Sequence, residues 1–222
     1  ARLFSAALCG AVGGGQAGAG GGGRVARCGA AGGARGARRV KPVDAAAAGP
    51  LRGCRVLELG SVVAGPFCGR LLADFGAEVV KIEPREGDGI RSVGKRHKGK
   101  SLNAASILRN KSLISLDLRK PEGQALVRKL APAFDILIEN FRPGGLEKWG
   151  LGYEDLRKLH PRLIMVRISG YGQTGPYSAR PGFGVIAEAM SGLRYITGDP
   201  DRPPARVGVQ LTDYITGLYG AF

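Results

Sequence analysis

From Cys54 onward, short β-branched apolar runs alternate with stretches of helical periodicity, which restricts the chain to folds built from repeated β-α-β units. Residues 54–59 read as a buried strand, and Phe67, Leu71, Leu72 and Phe75 recur at helical spacing between Pro66 and Gly76. The next strand falls at 78–83. The same patterning predicts strands over 113–118, 135–139 and 163–169, and helices over 121–131 and 153–160. The expected fold is α/β and Rossmann-like, a mostly parallel sheet with helices on both faces. Such a sheet binds ligands beyond the carboxyl ends of its strands, so the segments of interest are 60–65, 83–110, 140–145 and 170–184.

The first fifty residues are of another kind. Fourteen Gly and fifteen Ala fill 29 of those positions, too little apolar side chain to offset the entropy of ordering the backbone. Residues 1–49 are therefore expected to be a disordered Gly/Ala/Arg-rich segment, with 50–222 as the folded domain. Six Arg and one Lys against Asp44 give the first fifty residues +6, which leaves +9 of the chain's +15 on the folded part. An Arg-bearing, nearly acid-free N-terminus suits a mitochondrial matrix transit peptide, although the scarcity of Ser and the glycines at 13–15 and 20–23 depart from that pattern. A chloroplast signal and a plain linker are the alternatives.

No apolar run is long enough for a membrane-spanning helix. Cys9, Cys28, Cys54 and Cys68 form no Cys-x-x-Cys pair and have no His cluster beside them, so neither a metal site nor a disulfide framework is expected. The turn 60–65, within VLELGSVVAGPF, could present amides to a phosphate at a helix N-terminus, or could use its glycines merely to turn. The run Lys95, Arg96, His97, Lys98, Gly99, Lys100 could meet a polyphosphate or be solvated surface. Asp213 precedes the helical pattern 214–222, where an aspartate is ordinarily an N-cap.

The order of five segments carries more information than any one of them. RVLELGSVVAGPFCGRLLADFGAEVVKIE, SLDLRKPEG, DILIENFRPGGLEKWGLGYEDL, RLIMVRISGYGQTGP and VGVQLTDYITGLYG together resemble the family III CoA-transferases, which include formyl-CoA and carnitine CoA-transferases and the α-methylacyl-CoA racemases. The resemblance implies that 50–222 is the N-terminal part of that family's large domain. It also implies that Asp213 is the nucleophile of a CoA transfer running through an aspartyl anhydride and an aspartyl-CoA thioester. It places CoA along Val63 and Ala64, beside Asn140, Phe141 and Arg142, and against Leu116, Asp117, Leu118 and Arg119. Arg85, Lys95, Arg96 and Lys148 are the expected phosphate contacts. Coenzyme A and its thioesters are substrates on this reading, and no tightly bound cofactor is implied. Succinyl-CoA as donor and a small dicarboxylate such as glutarate as acceptor suit a mitochondrial member.

The chain departs from the family at Phe183-Gly184, where many members carry an aromatic-acid pair and racemases a histidine. Phenylalanine cannot move a proton, and His97 and His160 lie elsewhere, so a transferase is expected rather than a racemase. A nucleic-acid binder is the alternative of another class. It is disfavoured because Phe4 is the only aromatic residue of the basic N-terminal segment, which leaves little for bases to stack on. Family members are longer and form interlocked homodimers. A chain ending within a helical pattern at Phe222 is therefore expected to be a fragment or an inactive splice form, with an apolar face left for the remainder to cover.

Overall fold

The structure is a computed structural model that describes residues 49–222, so all but one residue of the expected N-terminal segment lies outside the described residues. Its main sheet has five parallel strands in the order β5-β2-β1-β6-β7: β1 is Arg55–Glu58, β2 Glu78–Glu83, β5 Lys111–Ser115, β6 Ile136–Glu139 and β7 Ile164–Arg167. A two-stranded antiparallel hairpin, β3 (Arg96–His97) with β4 (Lys100–Ser101), projects from the loop after β2. The helices are α1 (Ala64–Asp74), α2 (Leu102–Ile107), α3 (Pro121–Leu130), α4 (Tyr153–Leu159), α5 (Gly184–Met190) and α6 (Leu211–Ala221).

Period-two alternation along the strands feeds two cores. Leu57, Val80 and Leu137 face a layer completed by Val127 of α3, Leu156 of α4 and Phe134. Val56, Val79 and Ile138 face the other way, onto Ala64, Cys68 and Leu72 of α1, and Ala221 at the end of α6 reaches the same layer. Helices thus cover both faces, as the strand composition requires. The chain runs outward from β1 to β2 and β5, then returns to lay β6 and β7 on the other side of β1. The reversal creates a switch point between the carboxyl ends of β1 and β6.

Several boundaries differ from expectation. The strand expected at 113–118 is Lys111–Ser115, because Asn110 turns the chain at φ 60° and pairing can begin at once. Leu116 keeps one bond to the ladder, its N–H donating to Glu83 O, before Asp117 leaves the sheet. Residues 131–133 tighten into a 3-10 turn, and His160 caps α4 rather than continuing it. The N-cap reading of Asp213 is incorrect. Helix α6 begins two residues earlier, at Leu211, with Gln210 at the cap, so Asp213 lies inside the first turn and makes no capping hydrogen bond. No helix among the described residues is long and apolar enough to cross a membrane.

Candidate active site at the switch point

Two loops meet where the sheet order reverses, and one side chain joins them. Asn140, the residue after β6, accepts from Ser61 N–H through Oδ1 at 2.7 Å and donates from Nδ2 to Ser61 O at 2.9 Å. This reciprocal pair mimics a β-bridge and fixes the turn 60–65 against β6. Gly60 and Gly65 suit this crossing, because a Cβ on either would lie 3.2–3.4 Å from the Asn140 amide and from the other glycine, tight enough to press the two loops apart by a few tenths of an ångström. Beyond the turn, α1 starts at Ala64 with Val63 at its cap and no side chain capping it. Val62 adopts φ 64°, a left-handed conformation that costs a β-branched residue about 1–2 kcal/mol.

The strain at Val62 rests on a buried charge cluster. Asp88 Oδ1 accepts from Val62 N–H and Ile90 N–H, both at 2.9 Å. Its Oδ2 lies 2.9 Å from Lys81 Nζ. Lys81 also pairs with Glu58 at 3.2 Å and donates to Gly60 O; Glu58 pairs in turn with Lys111, which donates to Pro66 O. Burial works to raise the Asp88 pKa, but the Lys81 ammonium and the two amides outweigh it and hold the carboxyl below its usual range. Gly69 gives Glu58 its room, since a Cβ there would overlap Glu58 Oε2. Cys68 lies beside this cluster, and burial, with the Glu58 charge added, pushes its thiol up to about 12. A thiol so held is packing, not a nucleophile.

On the other side of the switch point, Glu139 accepts from Phe141 N–H at 2.7 Å and from Arg167 Nε at 2.7 Å. Arg167 reaches Glu147 as well, at 2.7 Å. Burial raises the Glu139 pKa despite these partners, whereas the Arg167 bond lowers that of Glu147. The bridge ties the segment after β6 to the short helix Glu147–Trp149, with the Phe141 and Trp149 rings edge-to-face at 5.5 Å. Lys148 and Arg142 are exposed at this end of the sheet.

Because the sheet is parallel, the loops after β1, β2, β5 and β6 all emerge along one edge. Val63, Ala64, Arg85, residues 116–119, Asn140, Phe141 and Arg142 therefore share that edge. Arg119 is partly neutralised by Asp117 at 2.8 Å and Glu86 at 3.7 Å. Lys95 and Arg96 stand apart on the exposed hairpin, where Arg96 donates to Gly99 O at 3.4 Å.

Helix α6 brings Asp213 to the same place. Its Gly217 lies against α1, where a Cβ would come within 2.7 Å of Ala64 O and 3.0 Å of the Phe67 ring. The Tyr214 ring meets Phe67 edge-to-face at 4.8 Å and packs on the cluster containing Val63 and Ile90. Asp213 lies one turn before Gly217 on the same helix, with its carboxylate beside Gly184 of α5. No hydrogen bond or ion pair among the described residues engages its carboxylate. Burial, reinforced by the Glu188 charge, raises its pKa, and Arg206 opposes the rise. Glu188 is fully buried on α5 and lies 3.5 Å from Arg194. Arg206 lines an open cleft of about 380 Å³ with Val207, Gly208, Val209 and Gln210, just before α6.

Sequence reasoning missed the Glu58–Lys81–Asp88 cluster. The charged ends of β1 and β2 in VLELG and VVKIE signalled it, because acids and lysines seldom enter a doubly covered parallel strand unless paired.

Residues 51–222 match the family described as CoA-transferase family III, and the chain belongs to that family. It is 58% identical over 174 residues to succinyl-CoA–D-citramalate CoA-transferase of Chloroflexus aurantiacus, covering 78% of this chain and 43% of that protein. It is 48% identical over 176 residues to succinyl-CoA:glutarate CoA-transferase of Mus musculus, covering 78% and 40%. A CAIB/BAIF family protein of Brucella suis has the same fold, with a TM-score of 0.74 at 42% identity over 78% of this chain and 47% of that one. The chain therefore spans less than half the length of these relatives.

Proposed function

We propose that this chain supplies the CoA-binding half and the nucleophile of an enzyme that moves CoA from succinyl-CoA to a small dicarboxylate. The observation that carries the reading is the position of Asp213: half-buried, unpaired among the described residues, and on the first turn of a helix whose Tyr214 and Gly217 pack on the start of α1.

A carboxylate there can do what the transfer needs. Asp213 attacks the thioester carbonyl, and the C–S bond breaks to release CoA thiolate and leave a mixed anhydride. The thiolate attacks the aspartyl carbonyl and expels succinate, giving an aspartyl-CoA thioester. The acceptor carboxylate then displaces the thiolate to form a second anhydride, and the thiolate returns to the acceptor acyl carbon, freeing Asp213. No net proton is exchanged. The raised pKa reflects a carboxylate poorly solvated in the resting site, which favours its nucleophilic use over a structural one.

CoA lies across the turn 60–65 and the segment Asn140, Phe141 and Arg142, with Leu116 to Arg119 lining the next loop. Arg85, Lys95, Arg96 and Lys148 meet its phosphates, and the thioester points toward Asp213. Phe183 caps α5 with 72% of its surface exposed and has no proton to transfer, which supports a transferase over a racemase. The complete enzyme works as a homodimer in the mitochondrial matrix, reached by removal of residues 1–49.

The test is to incubate the complete enzyme with succinyl-CoA, quench with hydroxylamine or borohydride, and map peptides. Modification of Asp213 alone is expected. A label elsewhere, or none, overturns the mechanism.

A further inference from the structure

The buried charge cluster is more than the fold requires. Lys81 and Glu58 are wholly inaccessible and Asp88 nearly so, and apolar side chains of similar size would commonly serve a core as well as an ion pair. What the cluster does is reach outward. Three of its four bonds to main chain end on the loop between β1 and α1 or at its border: Lys81 on Gly60 O, Asp88 on Val62 N–H, Lys111 on Pro66 O. Ile90 N–H is the further amide bound by Asp88. The most constrained point is Val62, a 41% exposed, β-branched residue at φ 64°. Its own side chain opposes that conformation, and its N–H donates directly to the Asp88 carboxylate.

We propose that Asp88 is a positioning residue for CoA binding, holding Val62 in its left-handed conformation so that Val63 and Ala64 present a preformed surface to the CoA moiety. Lys81 and Glu58 keep the Asp88 carboxylate charged and oriented. Asp88 itself is turned inward, with one oxygen on the two amides and the other on Lys81, and reaches no substrate. This inference rests on the reading that CoA lies along the turn 60–65.

A turn populated in the binding form for only a fraction of the time weakens the apparent affinity by that fraction. Two variants address the same bond from opposite sides. Asp88→Ala removes the acceptor from within. Val62→Pro removes the donor and forces a negative φ from the exposed side, leaving the charge cluster intact.

Amide hydrogen exchange and CoA binding by calorimetry on the complete enzyme separate the possibilities. In the unmodified enzyme, CoA should slow exchange over residues 61–64; no slowing removes the reading on which the inference rests. Asp88→Ala without ligand should exchange faster over 61–64. Both variants should bind CoA at least ~10-fold more weakly and raise KM for the acyl-CoA while kcat at saturation changes little. Unaltered exchange in Asp88→Ala, unaltered affinity in Val62→Pro, or a loss confined to kcat overturns the positioning role.

Discussion

Gly184 and Asp213 touch main chain to side chain: a Cβ built at 184 would overlap Asp213 Oδ2 and come within 2.6 Å of Thr212 Oγ1, which donates to Gly184 O at 2.9 Å. The missing side chain at 184 thus leaves the space that the Asp213 carboxylate and the Thr212 hydroxyl occupy. Gly184→Ala should destabilise by about 1–3 kcal/mol through overpacking and displace the Asp213 carboxylate. Urea unfolding and steady-state kinetics together check this. A stable, fully active Ala variant would show that α5 gives way freely.

Asp213→Asn keeps the size of the side chain and removes the proposed nucleophile. Since Asp213 caps nothing, stability should stay within about 0.5 kcal/mol while turnover falls by several orders of magnitude. Asp213→Glu retains a carboxylate displaced by roughly one C–C bond, and should lose at least about a hundredfold. Near-normal CoA exchange in the Asn variant would exclude the aspartyl anhydride.

The raised pKa of Asp213 gives a signed prediction. A nucleophilic carboxylate must be ionised, so kcat/KM should fall on the acid side with an apparent pKa above that of an ordinary aspartate. Glu188 adds to the rise, so Glu188→Gln should lower the acid limb; leaving the Arg194 charge less compensated pushes in the same direction. An unmoved limb in the pH profile would detach Glu188 from Asp213.

Asn140→Ala cuts both links to Ser61. The loss should cost about 1–3 kcal/mol and raise KM for acyl-CoA, because the two loops of the switch point are no longer tied. Denaturant titration with acyl-CoA saturation curves measures both effects, and a KM equal to that of the parent enzyme would place CoA away from these loops.

Charge reversal at Lys95 and Arg96 tests the hairpin. A raised KM for acyl-CoA, with the change shrinking as salt is added, is expected if these exposed cations meet phosphates. An unchanged KM removes the hairpin from the site.

The parallel sheet was legible because its strands are covered on both faces, and runs such as Val56–Leu57 and Val79–Val80 register that burial directly. The shortest elements were not. The two-residue strands β3 and β4 have no periodicity to read, and α2 is only six residues, fixed by the Ser101 side chain accepting from Ala104 N–H at 3.2 Å. The candidacy of Asp213 came from the order of motifs; its local sequence pointed to a cap. Which carboxylate stays unpaired depends on contacts between α5 and α6, residues 28 or 29 positions apart, and local pattern carries nothing of that kind. The cluster joining Glu58, Lys81, Asp88 and Lys111 spans 53 positions; the charges inside β1 and β2 signal that partners exist, but not which residues they are.

The meeting of Gly217 with Ala64 O sets a length standard inside the molecule. Two helices that touch through backbone at a glycine cannot approach more closely, so the spacing of α1 from the helix that carries Asp213 is set by that contact. On the proposed mechanism, the thioester carbonyl is delivered against that fixed gauge whichever acid it carries. The walls that receive the acid are then free to diverge, and a change of acceptor requires no recalibration of the chemistry.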